Sequence, residues 1–121
     1  MHELAVCQAL IDQVERIAHD RGASRVLSIT VSVGALSGTE ARLLEHAYPL
    51  ASAGTRGEGA RLLVETVPVR VRCRKCRSET EAAPNRLLCG QCSEWQVDVI
   101  AGEELLLRRV EFETTADAAL H

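Results

Sequence analysis

Residues 73–92 read CRKCRSETEAAPNRLLCGQC, and this stretch decides how the rest of the chain is divided. It contains two C-x-x-C motifs separated by 12 residues. Each motif bends the backbone so that two sulfurs reach one cation, and two motifs complete the tetrahedron of thiolates that Zn²⁺ accepts. The predicted ligands are Cys73, Cys76, Cys89 and Cys92. Because four thiolates leave no open coordination position, the predicted role of this site is structural.

The segment before the cysteines begins with a helical pattern followed by a strand pattern. Apolar residues recur every three or four positions from Leu4 to Ala18, which predicts an amphipathic helix that stops at Gly22. Strict alternation of apolar and small polar residues then predicts a half-buried strand. Its inward-facing residues are predicted to be Leu27, Ile29, Val31 and Val33.

A second helix and two further strands complete the predicted architecture. Ser37 and Glu40 have the spacing of a capping box, and Pro49 is expected to end or kink the helix that follows. Residues 61–72 predict a second strand, in which Pro68 indicates an edge position or a bend. Residues 105–112 predict a third. The predicted fold class is α+β: a small three-stranded sheet with two helices on one face, plus a zinc-ribbon-like insertion between the second and third strands.

Length and composition favour one compact soluble unit. The chain has 121 residues, 46% of them hydrophobic, and a formal net charge of −3. No apolar run approaches the roughly 20 residues that span a bilayer, and the first residues have no basic region typical of a signal peptide. We therefore expect a cytoplasmic protein with no membrane association, in which cysteines serve as thiolates rather than as disulfides. The fifth cysteine, Cys7, falls on the apolar stripe of the first helix and is predicted to be a core residue.

A basic cluster surrounds the first C-x-x-C motif and leaves two interpretations open. The cluster consists of Arg70, Arg72, Arg74, Lys75 and Arg77. One interpretation is a patch for an acidic partner such as nucleic acid, which would make the protein a zinc-ribbon nucleic-acid-binding or regulatory module. The other is a solvated strand edge. Aromatic residues make up 2% of the chain, which argues against a surface for base stacking.

The N-terminus offers a set of closely spaced nitrogen ligands. A bulky second residue, His2, is expected to leave Met1 in place. The available donors are then the Met1 α-amine, the His2 imidazole, and the backbone amide nitrogens of His2 and Glu3. Such a set suits a planar chelate, which selects Ni(II) or Cu(II) over Zn²⁺. The helix that follows leaves its first amides without intrahelical partners, so they are available as ligands.

Taken together, these features resemble the HypA/HybF family of hydrogenase-maturation nickel metallochaperones. The resemblance covers nearly the whole chain, in order, and its marks are Met1-His2-Glu3-Leu4, Val33-Gly34-Ala35-Leu36-Ser37 with Glu40, Gly54-Thr55, Glu58-Gly59-Ala60, Glu65, Pro68, the four cysteines, Gly102-Glu103-Glu104-Leu105 and Glu111. The second motif departs from the family, because it reads Cys-Gly-Gln-Cys-Ser where the family often has Cys-Pro-x-Cys-Gly.

The resemblance implies a function and a division of the chain. It implies that Met1, His2 and Glu3 bind nickel as transient cargo, with the His2 side chain essential, and that the four cysteines bind structural zinc. It implies delivery of Ni(II) to the [NiFe]-hydrogenase large subunit, with a HypB-type GTPase as partner and urease maturation as the alternative destination, and no enzymatic activity. Residues 1–70 and 100–121 are then the nickel-binding α+β domain, and residues 71–99 are the inserted zinc-binding domain.

Overall fold

The computed structural model describes residues 3–114, which form two helices and six strands. Met1, His2 and residues 115–121 lie outside this range. The elements are α1 (Glu3–Asp20), β1 (Ala23–Gly34), α2 (Ala41–Ser52), β2 (Arg61–Val67), β3 (Val69–Cys73), β4 (Glu79–Ala82), β5 (Val97–Ala101) and β6 (Leu105–Thr114).

The first sheet has the order β2-β1-β6, with β2 parallel and β6 antiparallel to the central strand β1. Both helices contribute to one hydrophobic core with the inward side chains of this sheet. The core includes fully buried Val14 from α1, Leu44 from α2 and Ile29 from β1. The α+β class, with two helices on one face of a three-stranded sheet, is therefore confirmed.

The two helices contact each other through a buried thiol. Cys7 is fully buried, as predicted, and its Sγ donates to the backbone carbonyl of Leu44 at 3.3 Å. Farther along α2, the buried Tyr48 hydroxyl donates to the Gly57 carbonyl at 2.7 Å. This bond attaches the loop after α2 to the helix.

The predicted start of α2 needs correction, and of the two effects predicted for Pro49, an end or a kink of the helix, the first does not occur. The helix begins at Ala41 with Glu40 as its N-cap residue, and the Glu40 side chain makes no capping hydrogen bond. Instead of capping α2, the Ser37 Oγ accepts the nearby Thr39 N–H at 3.3 Å. Pro49 does not end the helix, which continues to Ser52. A proline costs one backbone hydrogen bond, and burial of neighbouring α2 side chains in the core compensates for that loss.

Strand β1 departs from the predicted alternation at its start. Val26 is fully buried and Leu27 is 40% exposed, so the prediction that Leu27 faces the core is wrong. The pairing with β6 shifts register between Val26 and Ser28, and this irregularity moves the next side chain to the outer face. From Ile29 onward, the predicted inward residues are buried, but the polar Thr30 and Ser32 between them are buried as well, so the predicted half-buried alternation does not hold there.

The predicted second strand is two strands that belong to different sheets. Pro68 separates β2 from β3, and β3 forms the centre of a second antiparallel sheet of order β4-β3-β5. The prediction of one strand over residues 61–72 is therefore wrong, because a residue without a backbone N–H interrupts the ladder. Strands β4 and β5 were not predicted, and the strand predicted as third is β6.

The two sheets meet at a tight backbone junction. Gly34, at the end of β1, donates its N–H to the Glu104 carbonyl at 2.7 Å, and Leu36 N–H donates to the Gly102 carbonyl at 2.7 Å. A Cβ on Gly34 would overlap the backbone of Gly102, and a Cβ on Gly102 would lie 2.8 Å from the Val69 Cα. Both positions therefore require glycine. Neither described helix has the length and apolar character needed to cross a membrane.

Candidate metal centre

The four predicted cysteine ligands converge on one point. Their Sγ atoms all lie within 4.8 Å of one another. Cys73 ends β3, Cys76 lies in the turn that follows, and Cys89 and Cys92 come from the loop between β4 and β5. The Sγ atoms of Cys73 and Cys92 are 3.6 Å apart, as are those of Cys76 and Cys89. The sequence spacing therefore placed all four thiols correctly in one cluster.

The first motif is a compact loop closed by backbone hydrogen bonds. Cys73 N–H donates to the Ser78 carbonyl at 2.9 Å, and Arg77 N–H donates to the Cys73 carbonyl at 3.0 Å. Inside this loop, the N–H groups of Lys75 and Cys76 both point at the Cys73 Sγ, at 3.3 Å each. Backbone donors aimed at a sulfur favour its thiolate form.

The second motif forms a loop with the same pattern of backbone hydrogen bonds as the first. Cys89 N–H donates to the Glu94 carbonyl at 2.9 Å, and Ser93 N–H donates to the Cys89 carbonyl at 2.9 Å. The N–H groups of Gln91 and Cys92 point at the Cys89 Sγ, at 3.3 and 3.5 Å. The two loops therefore present the same set of backbone donors to the cluster.

Each loop requires a left-handed residue directly after its second cysteine. Arg77 has φ 66° and Ser93 has φ 63°, the two positive φ values among non-glycine residues that the described chain contains. An L-residue with a side chain adopts this conformation at a cost of about 1–2 kcal/mol. The sequence did not predict the left-handed conformation of either residue, although the glycine that the family often has after the second motif indicates it at position 93.

The electrostatics of the cluster favour a bound cation. The pKa of Cys73 is lowered, chiefly by the N–H of Cys76. The pKa of Cys76 is lowered to about 6, first by a hydrogen bond with the Ser78 side chain. The pKa of Cys92 is raised to about 12: hydrogen bonding to the Glu94 backbone lowers it, but partial desolvation and the neighbouring thiols outweigh that effect. Sulfurs this close cannot all ionise without a positive charge between them, and a divalent cation supplies that charge.

The sulfur positions fit zinc. Tetrahedral coordination at a Zn–S distance of about 2.3 Å requires sulfurs about 3.8 Å apart. The two 3.6 Å separations and the 4.8 Å limit on the whole set agree with that requirement. Two of the thiols, Cys73 and Cys89, are buried, and the other two are exposed. The cluster could therefore hold a structural zinc close to the surface, with all four positions filled by protein.

Much of the basic cluster beside this site is paired within its own sheet. Arg72 forms an ion pair with Glu79 at 3.0 Å, and Arg74 forms one with Asp98 at 2.6 Å. Arg70 donates to the Glu79 carbonyl at 3.3 Å. Hydrogen bonding to Arg74 also lowers the pKa of Asp98. This pairing reduces the free positive charge that a nucleic-acid surface would need, and it supports the interpretation as a solvated strand edge.

The predicted nickel ligands fall at the limit of the described structure. Met1 and His2 lie outside the described residues, and Glu3 is the first residue of α1. The cysteine cluster begins at Cys73, far from Glu3 in sequence, and its ligands include no histidine. The exposed histidines of the helices, His19 and His46, belong to no group of metal-ligating side chains within residues 3–114.

Comparison with known proteins gives consistent matches over almost the whole chain. Residues 1–112 match a family model described as "Hydrogenase/urease nickel incorporation, metallochaperone, hypA". Hydrogenase maturation factor HypA from Nitrosospira multiformis is 50% identical over 115 residues, which cover 95% of this chain and 100% of that protein. Hydrogenase maturation factor HypA from Streptomyces avermitilis is 42% identical over an alignment that covers 93% of this chain and 88% of that protein.

Solved structures agree at the level of the fold. The solution structure of the Ni metallochaperone HypA from Helicobacter pylori superposes with a TM-score of 0.68 at 23% identity, covering 94% of this chain and 99% of that one. A second solution structure of a HypA protein gives a TM-score of 0.70 at 24% identity, covering 93% and 96%.

Proposed function

The chain belongs to the HypA family of nickel-incorporation metallochaperones, which are maturation factors rather than enzymes, and from that premise we propose that it delivers Ni(II) to the large subunit of a [NiFe]-hydrogenase. The observation that carries the proposal is the family match that begins at residue 1, together with relatives named hydrogenase maturation factors that align over more than nine-tenths of the chain. Delivery takes place in the cytoplasm, with a HypB-type GTPase as partner.

The proposed function uses two separate metal sites, one for the nickel cargo and one for structural zinc. Nickel is the cargo, and its ligands are the Met1 α-amine, the His2 imidazole, and the backbone nitrogens of His2 and Glu3. A planar set of nitrogens leaves both axial faces open, so a ligand of the recipient can approach before the cargo leaves. Because α1 begins at Glu3, the amides of its first turn have no intrahelical partners and remain available as ligands.

The cysteine cluster is the second site, and it holds the structure together. Cys73, Cys76, Cys89 and Cys92 hold a structural zinc, which when bound cross-links the two C-x-x-C loops. The second sheet is small, and β4 has four residues, so a metal cross-link replaces part of the core that it lacks. The amides that point at the Cys73 Sγ favour its thiolate, the form in which a cysteine binds zinc. Residues 71–99 are the zinc-binding domain, and residues 1–70 and 100–121 are the nickel-binding domain.

A nickel titration with matched variants tests the assignment of the nickel ligands. The native chain, with nothing before Met1, is expected to bind about one Ni(II) tightly. His2→Ala and a chain extended by a few residues before Met1 should both lose tight binding while they keep their zinc and their circular dichroism spectrum. His19→Ala, which removes an exposed histidine from α1, is the control and should bind as the native chain does. Equal binding by the extended chain would show that the nickel site lies elsewhere.

A second experiment tests the destination of the nickel. In a host that lacks its own HypA, the native chain should restore hydrogenase activity at low nickel concentration, and His2→Ala should not. Excess nickel in the medium should bypass the requirement. Restoration of urease activity alone would assign the chain to urease maturation instead.

A further inference from the structure

The five cysteines of the chain differ in their exposure to solvent. Cys76 and Cys92, the second residues of the two C-x-x-C motifs, are exposed. Cys73 and Cys89, the first residues of those motifs, are buried. Cys7 is fully buried in the core, where its Sγ donates to a backbone carbonyl of α2. An oxidant in solution therefore reaches Cys76 and Cys92 directly, and it does not reach Cys7 while the helices stay packed on the first sheet.

Each exposed cysteine has a buried cysteine of the opposite motif as a close neighbour. The Cys76 Sγ is 3.6 Å from the Cys89 Sγ, and the Cys92 Sγ is 3.6 Å from the Cys73 Sγ. A disulfide has a sulfur–sulfur distance of about 2.05 Å, so either pair has to close by about 1.5 Å to form one. The cluster thus contains two pairs in which an exposed sulfur that becomes oxidised has a second sulfur within reach.

The two exposed cysteines differ in the charge around them. Cys76 lies between Lys75 and Arg77, which are both exposed and take part in none of the ion pairs formed within residues 3–114. The loop around Cys92, residues 89–94, contains no cationic residue and one acid, Glu94. When a thiolate attacks a peroxide, the departing hydroxide carries a negative charge, which nearby cations stabilise. Oxidation is therefore favoured at Cys76 over Cys92.

We propose that the cysteine cluster is also an oxidation site, at which a peroxide oxidises Cys76 first and Cys89 then forms a disulfide with it. This oxidation rests on the proposed binding of zinc, because all four sulfurs of a zinc-bound cluster are thiolates. The Cys76 thiolate attacks one peroxide oxygen, the O–O bond breaks, and a sulfenic acid and hydroxide form. The Cys89 thiolate then attacks the Cys76 sulfur, the S–O bond breaks, and a second hydroxide leaves. Two protons from solvent convert both hydroxides to water, so each disulfide consumes one hydrogen peroxide.

The first disulfide removes two of the four zinc ligands. Cys73 and Cys92 alone do not complete a tetrahedral site, so zinc leaves and these two sulfurs become available for a second disulfide. All four residues lie in the second sheet and its loops, and the first sheet contains none of them. The oxidised chain therefore keeps α1 and the first sheet, and a thiol reductant reverses the change.

Treatment of the zinc-loaded full chain with hydrogen peroxide, without added nickel, tests the proposal. Zinc content is measured before oxidation, and zinc release is followed with a chromogenic chelator. Substoichiometric peroxide, alkylation of the remaining thiols and tandem mass spectrometry then identify the disulfides. The first product should be the Cys76–Cys89 disulfide, and excess peroxide should add the Cys73–Cys92 disulfide. Cys7 should remain a free thiol at both stages, and reductant with added zinc should restore zinc binding.

A pair of charge variants tests the reason for the order of oxidation. Lys75→Gln/Arg77→Gln removes the two cations beside Cys76 and should slow the peroxide-dependent release of zinc roughly threefold or more. Arg25→Gln/Arg42→Gln is the matched control, because it removes the same charge from exposed positions on β1 and α2 and should leave the rate unchanged. Release without peroxide is measured and subtracted for each variant. If the two cations only stabilised the zinc site, their removal would accelerate release instead of slowing it.

Four outcomes would overturn the proposal. The first is a first disulfide that joins two cysteines of the same motif or two copies of the chain. The second is zinc that stays bound in excess peroxide, and the third is oxidation of Cys7 as fast as that of Cys76. The fourth is a Lys75→Gln/Arg77→Gln variant that releases zinc at the native rate or faster. A chain that holds no zinc before oxidation is a separate result, because it would contradict the zinc site itself and, with it, this oxidation.

Discussion

Ser93 offers a direct test of how backbone strain limits the affinity of the cysteine cluster. It adopts φ 63°, and its side chain is exposed. The left-handed conformation costs a residue with a side chain about 1–2 kcal/mol, and glycine avoids that cost but loses about 0.5–1 kcal/mol more backbone entropy on ordering. Ser93→Gly should therefore stabilise the loop by a net of about 0.5–1 kcal/mol. Since metal binding and loop folding are coupled, this corresponds to zinc affinity raised roughly two- to fivefold.

The assay is competition for zinc against a chromogenic chelator, with the native chain and the variant side by side. Gln91→Gly is the matched control because Gln91 is exposed, lies in the same loop and is not left-handed. Glycine there adds backbone entropy without relieving strain, so zinc affinity should fall by about two- to fivefold. The reasoning is refuted if Ser93→Gly leaves zinc affinity unchanged or lowers it, or if both variants change it in the same direction.

Three further predictions concern the first sheet and its junction with the second. Tyr48→Phe leaves the buried Gly57 carbonyl without its donor and should lower the free energy of unfolding by about 1–2 kcal/mol in urea titrations; an unchanged midpoint would contradict the assigned bond. Backbone hydrogen bonds, first from its own N–H and then from that of Gly102, lower the pKa of Glu104, so its carboxylate contributes stability above its unfolded pKa that is lost as pH falls through its folded pKa. Glu104→Gln should therefore lower Tm at pH 7 but not at a pH well below that folded pKa, and an equal loss at both would contradict this reasoning. Gly34→Ala forces a Cβ into backbone atoms and should cost about 1–3 kcal/mol or more by the same urea assay, whereas a neutral result would mean that the junction yields easily.

The cysteine cluster was predictable because its chemistry depends on spacing alone. Two C-x-x-C motifs separated by a short hairpin can bring four sulfurs together whatever the rest of the chain does. The repeated hydrogen bonds around Cys73 and Cys89 follow from that local loop and not from distant contacts. The left-handed residues after each motif were not predicted, because glycine usually marks such a position and these two positions are occupied by Arg77 and Ser93.

The parts of the fold that were predicted incorrectly depend on long-range pairing. Leu27 continues an apolar alternation in sequence, and only the shift of register against β6 turns it outward. Similarly, Pro68 indicated a break in residues 61–72, but not that the chain enters a different sheet after it. Strands β4 and β5 are short and form around β3, so their own residues carry little periodic signal. The nickel ligands Met1 and His2 stay a prediction, since they lie outside the described residues.

The close contact between Gly102 and Val69 also bears on how the chain can gain or lose its second sheet. The chain leaves the first sheet at Pro68 and returns at Gly102, and residues 70 and 101 are direct partners in the β3–β5 ladder. The two ends of this excursion are thus separated by a single strand spacing, about 5 Å. An insertion with adjoining ends adds little strain to its host, and the closure entropy changes only slowly with the length of the excursion. The first sheet can therefore accept metal-binding insertions of different lengths between Pro68 and Gly102. Replacing this segment by another with adjoining ends would leave the two helices and β1 unchanged.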